Sequence, residues 1–320
     1  MRIKDYHEQP KVRDSLSFLY IEHGKIDRED KAIAVHDEMG LTPVPCASLN
    51  LLMLGPGTRI THAAIETLVD CGCLVVWCGE QGVRFYASGM GETRNSLRLL
   101  HQARLATRKS TRLQVVRRMY EMRFKEKLND RLSLQQIRGM EGARVRDAYF
   151  CASQETGVPW EGRNYDRSNW SSADPVNRAL SAGNSCLYGL CHAAIIAAGY
   201  SPAFGFIHTG KMLSFVYDIA DLYKVDIVVP VAFRMAGAGA GELERRIRLS
   251  LRDEFTKQGL LSRIVDDIEN VLDIQPSKDD AEELDFDTDP AKPGQLWDPD
   301  VGGVPGGQNL SEGADQPKGE

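Results

Sequence analysis

The sequence has no apolar run of the ~20 residues that a membrane-spanning helix needs. Its opening stretch, MRIKDYHEQPKVRD, lacks the apolar centre of a secretory signal. A cytoplasmic protein with no membrane contact is therefore expected. Paired C-x2-C units are also missing. Cys71, Cys73 and Cys78 crowd into CGCLVVWC, a spacing unlike that of a zinc ribbon, while Cys186 and Cys191 fall in a run of small residues. The seven cysteines read as reduced, buried thiols that pack as small hydrophobes, and an odd count is unremarkable in a reducing compartment. Neither glycine-rich stretch, LGPGTRIT nor AGAGAGE, ends in the Gly-Lys-Ser/Thr of a phosphate-binding loop. The first reads as the turn into a helix beginning near Thr61, the second as a flexible link between helices. There is no internal repeat.

Basic charge is scarce only at the C-terminal end. Residues 276–320 hold 12 acidic and 3 basic side chains, so the net charge of −6 hides a body of +3 over residues 1–275. Within that body, residues 84–150 carry 16 Lys/Arg against 6 Asp/Glu. Such an excess marks either a solvated helical face or the footprint of a phosphate-backbone binder.

The chain of 320 residues is 42% apolar, enough for two cores and a tail. Residues 1–90 read as a small β domain. SLSFLYIE and KAIAVHD are strand-like runs joined by turn-forming HGKIDRED. LNLLML, CLVVWC and VRFYAS follow as further strands, with THAAIETLVDCG as a short helix among them. Residues 91–275 read as an all-helical domain. Apolar residues recur at helical spacing from 92 to 128, with Leu97, Leu100, His101 and Leu105 on one stretch and Val115, Met119 and Met122 on the next. Further helices are expected over 134–155, 174–199, 214–228, 241–258 and 260–273, the last with Leu261, Ile264, Val265, Ile268, Val271 and Leu272 on one face. The fold class is thus α+β, a small β-sheet domain followed by a larger helical one. Residues 276–320 are too poor in aliphatics to offset folding entropy and read as a disordered acidic tail.

One apolar segment, FGFIHTGKMLSFVYDIADLYK (204–224), carries His208, Asp218 and Asp221. Ser214 reads as the N-cap of a helix starting at Phe215. Asp218 and Asp221, three apart, then share a face and repel unless a cation lies between them. A divalent metal answers that need, with His208 folding back as a nitrogen ligand. Mixed carboxylate and imidazole donors suit Mn²⁺ and tolerate Mg²⁺. The plainer alternative pairs Asp221 with Lys224 and leaves His208 as a satisfied buried histidine. In QQIRGMEGARVRDAYF, Glu141 lies among Arg138, Arg144 and Arg146. It is either half of a surface pair with Arg144 or a third acidic ligand beside phosphate-holding arginines.

Glu141 in RGMEGARVR, His208 in FIHTGK and the aspartates of LSFVYDIADLYK together resemble the CRISPR-associated integrase that captures new spacers, the universal first protein of CRISPR adaptation. PGTRITHAA and VRFYASG extend the likeness from about residue 13 to about residue 274, nearest the subtype I-E branch. The resemblance implies a metal-dependent DNA endonuclease and integrase with an N-terminal β domain and a helical C-terminal domain. It implies Mg²⁺ or Mn²⁺ held by Glu141, His208 and Asp221, with Asp218 assisting. It also implies homodimers, gathered around a small ferredoxin-like second adaptation protein into a heterohexamer. The substrates would be a spacer-precursor duplex with 3′ overhangs and the leader–repeat of the array. The matching positions suggest DNA contacts by Arg59, Arg84, Arg163, Lys211, Lys224, Arg245 and Arg248. Tyr165, Trp170, Tyr188 and Tyr217 would line the 3′ overhang, where rings can stack on bases. One position departs from the pattern: His23 stands before Gly24, where close relatives carry a tyrosine at the duplex end. Two rival readings fit the same residues, a structure-selective nuclease of branched DNA in repair and a noncatalytic DNA-binding scaffold.

Overall fold

The computed structural model describes residues 18–30, 32–46, 49–80, 84–89, 96–163, 174–273, 295–298 and 302–305. The N-terminal part holds two sheets. In the first, β1 (Phe18–Ile21), β5 (Leu51–Leu54) and β7 (Leu74–Cys78) run parallel, and β8 (Phe85–Gly89) closes the order β1-β5-β7-β8 antiparallel to β7. In the second, ordered β4-β3-β2-β6, β3 (Ala32–Asp37) pairs antiparallel with β2 (Lys25–Glu29) and with β4 (Gly40–Val44), while β6 (Arg59–Ile60) adds parallel to β2. Strand β2 forms within HGKIDRED, which reads from sequence as a turn. Only one residue of KIDRE, Ile26, is buried, so the strand has almost no apolar alternation to show.

Helix α1 (His62–Asp70) starts as expected, with the Thr61 hydroxyl accepting from the Ala64 N–H. All four residues of β5 are buried because both faces of its sheet are covered. Leu52, Leu54 and Val75 face a small core with α1 and the second sheet, whereas Leu51, Met53, Leu74 and Val76 face the helical part. One face of this sheet is therefore covered by the chain's own helices. The first sheet thus lies between two cores, the small N-terminal one and the large helical one.

The helical part comprises α2 (Leu97–Thr107), α3 (Lys109–Phe124), α4 (Leu134–Thr156), α5 (Pro175–Ala197), α6 (Ser214–Ala220), α7 (Val229–Gly237), α8 (Leu243–Lys257) and α9 (Leu260–Leu272), with a π-helical turn over Lys224–Val228. Helix α5 is its axis, packed against α6, α7, α8 and α9. This helix has the length and hydropathy of a membrane span, contrary to the sequence reading, but most of it is enclosed by its neighbours. Cys186 and Cys191 lie buried within it. Helix α9 buries Leu261, Ile264, Ile268, Val271 and Leu272, each contributing roughly 1.5–3 kcal/mol. The 92–128 pattern divides into α2 and α3 at Arg108, whose backbone is extended. On α2 it is Gln102, not His101, that turns inward beside Leu105. Residues 238–242 link α7 to α8, as expected of the glycine-rich run. The tail is not wholly irregular: β9 (Gln295–Asp298) and β10 (Gly302–Pro305) pair as an antiparallel hairpin.

Candidate active site

Two helices and one loop bring the site together. Ser133 starts α4 with a full capping box, its hydroxyl accepting from the Gln136 N–H while the Gln136 side chain accepts from the Ser133 N–H. Two turns later α4 presents Glu141. The loop before α6 presents His208, and Asp221 caps the C-terminal end of α6. Leu213, not Ser214, precedes the first turn of α6; the Ser214 hydroxyl instead accepts from the Lys211 N–H and donates to the Lys211 carbonyl, closing the loop.

Asp218 is fully buried. Its Oδ2 accepts from the Phe206 and Ile207 N–H groups at 2.5 and 3.1 Å, and its Oδ1 accepts from the His208 N–H at 2.8 Å. The same Oδ1 accepts from His208 Nδ1 at 2.7 Å. A carboxylate only accepts, so Nδ1 carries the proton and the ring's lone pair stays on Nε2. The Asp218 hydrogen bond raises the His208 pKa above its ordinary value, with burial opposing. The imidazole meets Tyr217 edge-on at 5.9 Å, and Tyr217 meets Tyr188 at 5.1 Å.

The loop is clamped from beneath. Buried Gln102 donates to the Ser201 and Phe204 carbonyls, each at 3.0 Å, and accepts from the Ser201 N–H at 2.8 Å. Arg112 holds the Phe206 carbonyl through Nε at 3.0 Å and Nη2 at 2.7 Å. Neither residue was anticipated from the sequence.

Glu141 and Asp221 line one small cavity of about 50 Å³ with Arg123, Arg144 and Asp226. The Arg123 guanidinium forms an ion pair with Glu141 through Nη2 and lies 3.9 Å from Asp221 Oδ2 through Nη1. Lys224 Nζ stands 3.7 Å from the other Asp221 oxygen. Beside Glu141, burial pushes the Tyr120 hydroxyl up to about 12, and the Glu141 charge adds to the effect.

This geometry corrects two expectations. Asp218 and Asp221 do not confront each other across a metal: backbone N–H groups satisfy Asp218, while Arg123 and Lys224 neutralise Asp221. Glu141 pairs with Arg123 rather than Arg144, which binds Glu126 at 2.5 Å. Among the described residues, no three His, Cys, Asp or Glu side chains stand within reach of a shared metal. Glu141 and Asp221 meet in the cavity; His208 acts on Asp221 electrostatically but does not line it. The donor set nonetheless fits a divalent ion. Two carboxylates already converge on one cation, here a guanidinium, and the histidine is oriented by its own carboxylate as ligating histidines are.

The proposed DNA residues lie in several environments. Arg59, Arg84 and Lys211 are exposed. Arg163 binds the Asn177 carbonyl and Oδ1 and the Ser181 hydroxyl. Arg245 pairs with Glu242 and Arg248 with Glu80 at the β-sheet side. Tyr165 and Trp170 lie outside the described residues. His23 has φ +53 and packs on Gly57 (φ +74), where a Cβ would stand 2.5 Å from its ring nitrogen.

A family model described as "CRISPR associated protein Cas1" matches residues 19–129 and 119–246. The chain belongs to the Cas1 family. Among its relatives, "CRISPR-associated endonuclease Cas1 2" of Thermus thermophilus is 52% identical over 323 residues, covering 99% of this chain and 98% of the relative. "CRISPR-associated endonuclease Cas1" of Escherichia coli (strain K12) is 47% identical over 269 residues, covering 83% and 88%. A solved Cas1 structure, "Crystal structure of TtCas1-DNA complex", superposes with a TM-score of 0.77 at 54% identity over 83% of this chain and all of that one. The Cas1 fold, a β-sheet region followed by helices, is the fold of this chain.

Proposed function

We propose that this chain is a metal-dependent DNA endonuclease and integrase subunit that inserts foreign fragments as new spacers into a CRISPR array. One observation carries the proposal. In a member of the Cas1 family, Glu141 and Asp221 converge on a single cation position, next to a histidine whose tautomer is fixed by Asp218. Glu141, Asp221 and Nε2 of His208 would hold Mg²⁺ or Mn²⁺. Bound there, the ion supplies Lewis acidity to the phosphoryl oxygens and lowers the pKa of the attacking 3′-OH or water.

The chain's own groups do the rest. Asp218 keeps Nδ1 of His208 protonated, so Nε2 faces the reaction as a base or ligand. Tyr217 and Tyr188 form a wall against which unpaired bases of a 3′ overhang can stack. Lys224 adds positive charge beside Asp221 for a phosphate oxygen. The excess of Arg and Lys over residues 84–150 suits a DNA backbone, and a relative's description names a DNA complex. Placement nearest the subtype I-E branch rests on the sequence resemblance that runs from about residue 13 to about residue 274. The working assembly is a cytoplasmic complex of homodimers with the second adaptation protein.

The test is strand transfer of a duplex with 3′ overhangs into a plasmid bearing a leader and repeat, with and without Mg²⁺ or Mn²⁺. Wild-type protein with its partner integrates only in the presence of metal, and Glu141→Ala or Asp221→Ala abolishes the reaction in a folded protein. Wild-type rates in either variant contradict the proposal. Cleavage of branched DNA without any strand transfer would favour the repair nuclease instead.

A further inference from the structure

Arg123 fits none of the roles above. It sits near the end of α3 with its side chain 9% exposed, between Glu141 on α4 and Asp221 on α6. An arginine cannot shed its proton in a protein, and a buried charge needs compensation. Glu141 provides it through direct contact and Asp221 through an oxygen 3.9 Å away. The ring of Tyr120 lies 5.6 Å from the guanidinium carbon and adds a cation–π contact.

Glu141 and Asp221 are themselves only 22% and 19% exposed. Without Arg123, two carboxylates would line one small cavity and repel each other. The guanidinium removes that repulsion from within the chain, at the place where the metal reading puts the metal. We propose that Arg123 is a built-in placeholder cation, which holds the two carboxylates in the empty site and must withdraw from between them when a divalent ion is bound. This inference rests on the reading of Glu141 and Asp221 as metal ligands.

Its physical content is competition. A dication and a guanidinium at the same pair of carboxylates repel, so part of the metal's binding energy goes into displacing Arg123. Removing that charge therefore tightens metal binding, whereas an arginine that merely braces the ligands would loosen it on removal. The two roles predict opposite signs.

The experiment measures Mn²⁺ affinity by electron paramagnetic resonance of free Mn²⁺ in titrations of the full chain. Arg123→Gln and Arg123→Met both remove the charge, and Met also keeps the bulk of the side chain. Circular dichroism and thermal melting establish which of the two is folded, and either one suffices. Binding is expected to tighten by about ten-fold or more, a small part of the Coulomb repulsion between a unit charge and a dication some 4 Å apart. Arg123→Lys, which restores a cation, is expected to return affinity to within about three-fold of wild type, as a charge-based competitor requires. Asp221→Asn is made in the wild-type and charge-removed backgrounds. If Asp221→Asn removes Mn²⁺ binding in both but Arg123→Gln or Arg123→Met leaves affinity unchanged or weaker, the placeholder role is overturned and the ligand assignment stands. If Asp221→Asn leaves Mn²⁺ binding intact, the ligand assignment fails and the placeholder role fails with it.

Discussion

Replacing Asp218 by asparagine changes almost no volume but removes the charge on which the His208 loop is built. The carboxylate accepts from three backbone N–H groups and one ring N–H. In Asp218→Asn the remaining carbonyl oxygen can still serve Phe206 and Ile207. The new NH₂ group then faces two donors, the His208 N–H and Nδ1–H. Two hydrogen bonds are lost, a donor–donor contact replaces them, and the surviving bonds lose their charge assistance. At ~1–3 kcal/mol for each buried group left unsatisfied, and with the ring free to turn toward water, the cost is about 2–4 kcal/mol. Asp218→Ala strips every N–H of its partner and should cost about 3–5 kcal/mol. These are large fractions of a typical stability of roughly 5–15 kcal/mol. Urea unfolding at constant m-value reads the loss directly.

The same variant has a pH signature. The folded pKa of His208 is raised by Asp218, so its contribution to stability is complete below the unfolded value of about 6.5 and is lost as pH rises through the higher folded value. The gap between wild type and Asp218→Asn should be widest in mild acid and should narrow as pH rises through that folded value. NMR titration of His208 should show a lower pKa in the variant. A gap of less than about 1 kcal/mol, or one that widens with pH above neutrality, would refute the description of Asp218 as the anchor of the loop.

Gly205 lies in the same loop, and an added Cβ would fall 2.4 Å from the His208 carbonyl and 2.7 Å from the Ser214 Cβ. Gly205→Ala should therefore displace the loop, lowering the melting temperature by several degrees and the integration rate by more than ten-fold at ~2–3 kcal/mol of strain; unchanged melting and activity would show that the loop is not tightly fitted. DNA affinity should fall steeply between 50 and 200 mM salt, by about 10³-fold for six neutralised phosphates. Fluorescence anisotropy measures it, and a flat salt dependence would count against a basic groove.

The sequence revealed the fold wherever one periodicity dominated. The amphipathic face of α9 and the Thr61 cap of α1 stand where their patterns place them. It misled where several elements share one apolar run. Residues 214–228 read as a single helix, yet they hold α6, ending at Ala220, and a π-helical turn leading into α7. Pro230 near the start of α7 has no N–H to continue the ladder. Strand β2 was hidden because its outward residues are charged. The site was half legible. Glu141, His208, Asp218 and Asp221 could be picked out as chemistry-bearing groups in apolar surroundings, but spacing could not tell that Asp218 turns inward to backbone N–H groups. Arg123 does carry a signal in the sequence. It lies four residues after buried Met119 and three after buried Tyr120, so a charged residue stands on the core face of α3. Gln102 left the same kind of signal, three residues before buried Leu105. A polar side chain on an apolar stripe needs a partner, and here the partners are site residues or the loop that carries one.

Anomalous diffraction from a crystal of this chain soaked in Mn²⁺ tests the central claim most directly. The account predicts one strong peak bonded by Glu141, Asp221 and Nε2 of His208, at ~2.0–2.2 Å for the carboxylate oxygens, with the Asp218–His208 hydrogen bond intact and the Arg123 guanidinium turned away from Asp221. A crystal in which Mn²⁺ occupies other residues, while Arg123 still bridges Glu141 and Asp221, would contradict it.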